Sequence, residues 1–229
     1  MDKKSLQEMF DSAVHIGHRT HKWNPRMKKF IHTEKNGIHI INLEKTAEYL
    51  QAALDFVGRL TAEGKNILFV STKPQSISLL EAAANDCHMP YVVAKWIPGL
   101  LTNFSTVKVR IKYLADLKDQ KMTGEFEKYT KKEASKLTKD IDKLEMTLGG
   151  VQNMNSKPDA VFVVDVVRDN IVVKEAKKLG IPVVGIVDTN ADPDPIDYPI
   201  PGNDDALRSL EYFVGSVCDA IKKSRKAKA

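Results

Sequence analysis

Ile67-Leu-Phe-Val70, Ala160-Val-Phe-Val-Val164 and Val183-Val-Gly-Ile-Val187 decide the fold class of this chain. Each is a strand-length run without a polar residue, and a strand that shows water neither face belongs in a parallel sheet covered on both sides. Helical patterns separate the runs. Pro74 opens one that extends to about Asn85, and a second extends from about Asn170 to Leu179, where Gly180 closes it. Residues 91–93 add a shorter strand, and a last helix covers roughly residues 204–223. Strands alternating with helices predict an α/β fold with a doubly wound, mainly parallel sheet of flavodoxin or Rossmann type.

Upstream of this alternation, residues 5–13 carry Leu6, Met9, Phe10 and Ala13 at helical spacing, and Gly17 ends the pattern. Residues 30–33 and 38–41 read as two short strands joined at Asn36-Gly37, a two-residue hairpin signal. Asn42 is placed to cap a helix running to about Glu63, with Leu43, Ala47, Leu50, Leu54, Val57 and Leu60 as its apolar stripe and Gly64 as its stop. Residues 105–148 interrupt the strand–helix grammar. Val107, Ile111, Leu114 and Leu117, then Ala134, Leu137, Ile141, Leu144 and Leu148, flank Thr123-Gly124. That spacing predicts an antiparallel coiled-coil hairpin of two helices. The expected organisation is an α/β domain built from residues 1–104 and 149–229, with the hairpin 105–148 inserted.

The 229 residues carry a formal net charge of +5, unevenly spread. Residues 19–35 hold six basic residues and one acid, and residues 222–229 hold five basic residues and no acid. The hairpin has eleven basic and eight acidic residues, which leaves the rest of the chain at net −8. Basic extensions on an acidic body suit a polyphosphate partner, since each cation that meets a phosphate releases a condensed counterion. Two cysteines, Cys87 and Cys218, are too few for a disulfide scaffold and too far apart for a CxxC pair. No apolar run reaches membrane-spanning length, and the first residues lack a signal-peptide core. The expectation is a cytoplasmic protein with no membrane partner.

Enzymatic signatures are weak. His15, His18 and His21 follow each other at i, i+3, but Gly17 breaks the helix that would align them and no H-E-x-x-H accompanies them, so no metal site is expected. Asp188, Asn190 and Asp192 match the start of a calcium loop, which then fails at Pro193 and Pro199. Asp165 and Asp188 end strands, where α/β enzymes keep catalytic carboxylates, yet no glycine-rich phosphate loop follows any strand. We therefore expect no catalytic residue, no cofactor and no small-molecule substrate. Two loops look different. Trp23-Asn-Pro and Lys95-Trp96-Ile-Pro-Gly-Leu-Leu-Thr-Asn103 each set a tryptophan beside cations, amides and turn-formers. Flat rings, cations and amide donors together suit unpaired RNA. The candidate RNA contacts are Arg19, His21, Lys22, Trp23, Asn24, Arg26, Lys28, Lys29, Lys95, Trp96, Asn103, Lys108, Arg110 and Lys112. For Trp96, which follows a strand, core packing is an equal alternative.

The order of these motifs is distinctive. Val14-His-Ile-Gly-His-Arg-Thr-His-Lys-Trp-Asn-Pro-Arg-Met27 is followed by Asn36-Gly-Ile-His-Ile-Ile-Asn-Leu-Glu-Lys-Thr46. Leu148-Gly-Gly, Leu179-Gly-Ile-Pro-Val, Ile186-Val-Asp-Thr-Asn and Ile200-Pro-Gly-Asn-Asp-Asp-Ala206 come later. Taken together, over nearly the whole chain, they closely resemble the bacterial small-subunit ribosomal protein of the S-two family. The resemblance implies an α/β body with a protruding helical hairpin, bound to small-subunit ribosomal RNA on the solvent side near the head–body junction. It further implies no enzymatic activity, and contacts with neighbouring small-subunit proteins that include docking of the S-one protein. Pro98 and Val166 depart from the family's usual glycine and proline, and the tail is short and basic where many relatives carry a longer, often acidic one. Two rivals remain at this stage: a nucleotide-binding enzyme built on Asp165 and Asp188, and a non-ribosomal adaptor akin to the laminin-receptor relatives.

Overall fold

The computed structural model describes residues 3–226. Its main sheet has five parallel strands: β4 (Ile67–Val70), β5 (Tyr91–Val92), β6 (Ala160–Val163), β7 (Val183–Val187) and β8 (Tyr198–Pro201), in the order β5-β4-β6-β7-β8. The winding therefore reverses direction between β4 and β6, and the carboxyl ends of those strands form the switch point of a doubly wound sheet.

Strand periodicity sorts the side chains into two cores. Leu68, Val70, Val161, Val163, Val183 and Val187 face one side and pack with Val172, Val173 and Ala176 of α6 (Asn170–Leu179). Ile67, Phe69, Ala160, Phe162, Val184 and Ile186 face the other. There they meet α2 (Leu43–Ala62), α3 (Ile77–Asp86) and α7 (Leu207–Lys226) through Leu50, Val57, Leu80, Phe213 and Val217. Helices thus cover both faces, as the unbroken apolar strands require. The register sets Phe69 beside Phe162, with ring centroids 5.4 Å apart in an edge-on arrangement.

The N-terminal segment up to Ile41 is α1 (Lys3–Asp11) followed by an antiparallel sheet of β1 (Ile16–Arg19), β2 (Ile31–Lys35) and β3 (Ile38–Ile41), in the order β1-β3-β2. The expected hairpin turn has φ of +54° at Asn36 and +74° at Gly37, the two positive angles that a two-residue turn demands. The Asn42 side chain accepts from the N–H groups of Glu44 and Lys45 and starts α2 as anticipated. Two strands escape a sequence reading. β1 is Ile-Gly-His-Arg, with no alternation to see. β8 contains Pro199 and Pro201 and is tolerated because it lies at the sheet edge, where one side of its backbone needs no partner. The last helix also begins later than expected, at Leu207, because Asp204 and Asp205 are held in the preceding loop.

Residues 104–148 form α4 (Phe104–Met122) and α5 (Lys131–Leu148), with Gly124 at φ +76° in the connection and a Thr130–Glu133 capping box opening the second helix. Val107, Ile111, Leu114, Leu117, Ile141 and Leu148 are buried and join the core on the α6 face of the sheet. Lys118 Nζ lies 2.7 Å from Glu145 Oε1 across the two helices. Among the described residues, no helix is long and apolar enough to cross a membrane.

Candidate nucleic-acid interface

The N-terminal segment is laid over the carboxyl end of the main sheet. A Cβ on Gly17 would stand 2.6 Å from Thr189 Cγ2, so only glycine permits the approach. The His18 N–H donates to Thr189 Oγ1 at 2.8 Å, and the Asn24 N–H donates to the Thr189 carbonyl at 2.8 Å. Between these two tethers Arg19, His21, Lys22 and Trp23 are exposed, Trp23 to 37%. Its ring sits 5.3 Å from that of His39, which is 9% exposed; neither ring nitrogen of His39 has a hydrogen-bond partner among the described residues. Asn24 Oδ1 accepts from the Arg26 N–H and caps the 3-10 turn Pro25–Phe30. Met27 and Phe30 anchor that turn in the core, which turns Lys28 and Lys29 outward; Lys29 Nζ lies 4.9 Å above the Phe30 ring.

Two of the expected contacts have partners within the chain. Arg26 is exposed, but its guanidinium is taken by Asp192 at 2.5 Å and Asp194 at 3.1 Å, so it is an internal clamp before it is a phosphate ligand. Trp96 is 6% exposed and offers no stacking face. Its indole N–H donates to Glu175 Oε1 at 3.1 Å, and the same carboxylate accepts from the N–H groups of Gly99 (2.7 Å), Leu101 and Thr102 (3.1 Å each) and from the Thr102 hydroxyl (3.1 Å). Burial pushes the Glu175 carboxyl up, but these donors outweigh it and hold the group below its ordinary range. The acceptor that lets a tryptophan enter the core comes from α6, 79 residues away in sequence, which is why the loop alone did not disclose it.

The remaining candidates line the entry to α4. Lys95, Asn103, Lys108, Arg110 and Lys112 are exposed; Asn103 Oδ1 accepts from the Thr106 hydroxyl at 2.9 Å, and Lys108 Nζ donates to the Asn155 carbonyl at 3.3 Å. The basic tail is partly spent within the chain, since Lys222 pairs with Asp86 and Arg225 donates to the Cys87 carbonyl at 2.7 Å. Lys228 lies outside the described residues.

Beneath the N-terminal segment, the switch point is filled by a polar cluster. Lys73 Nζ stands 2.6 Å from Asp205, 2.8 Å from Asp204 and 3.3 Å from Asp165, while His18 Nδ1 is 3.1 Å from Asp188. Burial drives Asp204 up to about 7, with the Asp188 and Asp165 charges adding to it. For Lys73, burial works against the charge and the surrounding carboxylates overrule it, so its pKa rises. The Asp188 hydrogen bond raises His18 likewise. His15 and His21 take no part in the cluster: His15 stacks on Phe10 at 4.4 Å and His21 faces solvent. Among the described residues, those with ligand atoms close enough for a cation are instead His18, Asp188 and Asp204, within 4.8 Å of one another, and Lys73 supplies positive charge against that group. Asp165, which a sequence reading sets at a catalytic position, accepts from the N–H groups of Val167 and Arg168 as well. Carboxylates committed in this way tie loops together.

Sequence reasoning missed Thr189, His39 and Glu175, and named Gly17 and Asp192 without the contacts they make to Thr189 and Arg26. The one local signal was the acid-rich stretch Asp188–Asp194, whose charge complements Arg26 and His18.

The family profile described as ribosomal protein S2 matches residues 9–224. A curated relative, the small ribosomal subunit protein uS2 of Nocardia farcinica (strain IFM 10152), is 47% identical over 225 residues, which cover 98% of this chain and 79% of the relative.

Proposed function

This chain belongs to the ribosomal protein S2 family, and from that premise we propose that its exposed cations hold it to small-subunit ribosomal RNA. Family membership makes it a structural protein of the small ribosomal subunit and not an enzyme. The observation that carries the RNA reading is a segregation of charge. Arg19, Lys22, Lys28 and Lys29 face outward around an exposed Trp23, whereas Asp165, Asp188 and Asp204 beneath them are buried and committed to Lys73 and His18. A partner rich in phosphate and unpaired bases meets the cations and the ring first.

In this reading residues 105–148 act as an inserted coiled-coil hairpin on the body formed by residues 1–104 and 149–229. Lys95, Asn103, Lys108, Arg110 and Lys112 at its base extend the phosphate-binding strip, and His21 and Asn24 add donors beside Trp23. Trp96 supports that strip from within. The acidic body faces neighbouring small-subunit proteins, the S-one protein among them, and the protein works in cytoplasmic ribosomes.

Binding of the full chain to a small-subunit RNA fragment, followed between 50 and 200 mM salt, tests this. About six phosphate contacts predict a loss of roughly 10³ in affinity over that range. Replacing Arg19, Lys22, Lys28 and Lys29 with Gln should flatten the logarithmic salt slope by about 3 to 4. Affinity independent of salt, or a slope unmoved by the four changes, would overturn the proposal.

A further inference from the structure

Cys87 and Cys218 are 131 positions apart in the chain and meet where α3 packs on α7. Cys87 is the C-cap of α3 and Cys218 lies within α7; both are free and buried, at 2% and 5% exposure. Cys87 Sγ donates to the Cys218 carbonyl oxygen at 3.8 Å, and Cys218 Sγ donates to the Ala83 carbonyl oxygen, one turn before Cys87, at 3.4 Å, so each sulfur lies against the other's helix. Nothing in the RNA-binding strip uses them.

We propose that Cys87 and Cys218 form a redox site that a peroxide converts into a reversible intramolecular disulfide. The geometry supplies a matched pair. The interaction with Cys218 outweighs burial and, with the Lys222 and Arg225 cations nearby, draws the Cys87 thiol below its ordinary range, while the same interaction and burial drive Cys218 far up. Cys87 is therefore the attacking thiolate and Cys218 the resolving thiol. Asn85, His88 and Met89, on either side of Cys87 in the chain, line a cleft of about 460 Å³, and in this proposal a peroxide reaches the buried sulfur through opening of the turn between that cleft and Cys87. The Cys87 sulfur attacks one peroxide oxygen and breaks the O–O bond, giving a sulfenic acid and releasing hydroxide, which leaves as water after protonation. The Cys218 sulfur then attacks the Cys87 sulfur, and the sulfenic hydroxyl departs with the Cys218 proton as a second water. Two thiols are oxidised by two electrons, and one peroxide is reduced to two waters. A dithiol reductant reverses the step by exchange.

Treating the reduced full chain with hydrogen peroxide, then alkylating it under denaturing conditions and mapping peptides without reductant, tests the proposal. The expected result is loss of both alkylatable thiols, a mass decrease equal to two hydrogens, a peptide linking Cys87 to Cys218, and full recovery with dithiothreitol. Both thiols remaining alkylatable, disulfides only between chains, or Cys87 passing directly to sulfinic acid would each overturn it. Cys218→Ala should strand Cys87 as a sulfenic acid that dimedone traps, and Cys87→Ala should leave Cys218 alkylatable; the opposite pattern reverses the roles and refutes the assignment. Because peptide mapping of the unaltered chain decides the main point, it stands even if either variant fails to fold.

Discussion

Trp23 and Trp96 stand in loops of nearly the same composition, each beside cations, an amide and a proline, and the fold leaves one exposed and buries the other. Trp23 is 37% exposed on a segment fixed by its backbone to Thr189. Trp96 is sealed in the core because Glu175 satisfies its N–H. A buried indole needs an acceptor, and whether one exists depends on a distant element. The lesson is that an aromatic–basic loop is left open to a partner only where the fold does not bury its ring against an internal acceptor.

The largest effects should fall on the buried member of this pair. Trp96→Ala should lower the stability measured by urea unfolding by about 3–5 kcal/mol through the cavity it leaves. Glu175→Ala should cost a similar amount, about 3–5 kcal/mol, since its donors are left unsatisfied. A loss below about 1 kcal/mol in either would place the ring outside the core and erase the contrast. Gly17→Ala drives a methyl into Thr189 and should cost about 1–3 kcal/mol in the same assay. It should also raise the solvent quenching of Trp23 fluorescence, because it loosens the tether under the exposed ring. Trp23→Ala should leave urea stability within about 1 kcal/mol while weakening RNA binding by about 1–3 kcal/mol. An unchanged affinity would make Trp23 as uninvolved in binding as Trp96.

Smaller effects probe what lies beneath each loop. His18 and Asp204 both have raised folded-state pKa values. His18 therefore contributes stability that is full below about pH 6.5 and is lost as pH rises through its folded value; the Asp204 contribution is full below about pH 3.8 and is lost on rising through about 7. His15, lowered by burial, runs the other way in the same window. Urea midpoints compared at pH 6 and pH 8 should consequently fall less for His18→Gln than for the unaltered chain, and an equal or steeper fall would contradict the assigned ion pair. Least of all, Lys118→Ala on the paired helices should shift stability by about 0.2–1 kcal/mol, because its bridge to Glu145 is largely solvated.

Much of this architecture was legible in the chain. The unbroken apolar strands, the Asn36-Gly37 turn, the Asn42 cap and the Gly180 stop are local signals, and each lies where its local chemistry placed it. β1 and β8 were not legible, because a Gly-His-Arg strand and a strand with two prolines owe their pairing to neighbours. The candidate site divided in the same manner. The exposed cations at 19–29 followed from composition, while the capture of Arg26 by Asp192 did not.

Sequence alone determined the fold class, the Asn42 and Gly180 helix ends and the surplus of positive charge, since these depend on residues within a few positions of one another. Tertiary structure alone decided which tryptophan meets solvent, which arginine is already paired, and which carboxylates close the switch point beneath the N-terminal segment. Those outcomes turn on contacts such as Trp96–Glu175, Arg26–Asp192 and Lys73–Asp204, between groups 79 to 166 positions apart, and no local pattern encodes the distance between them.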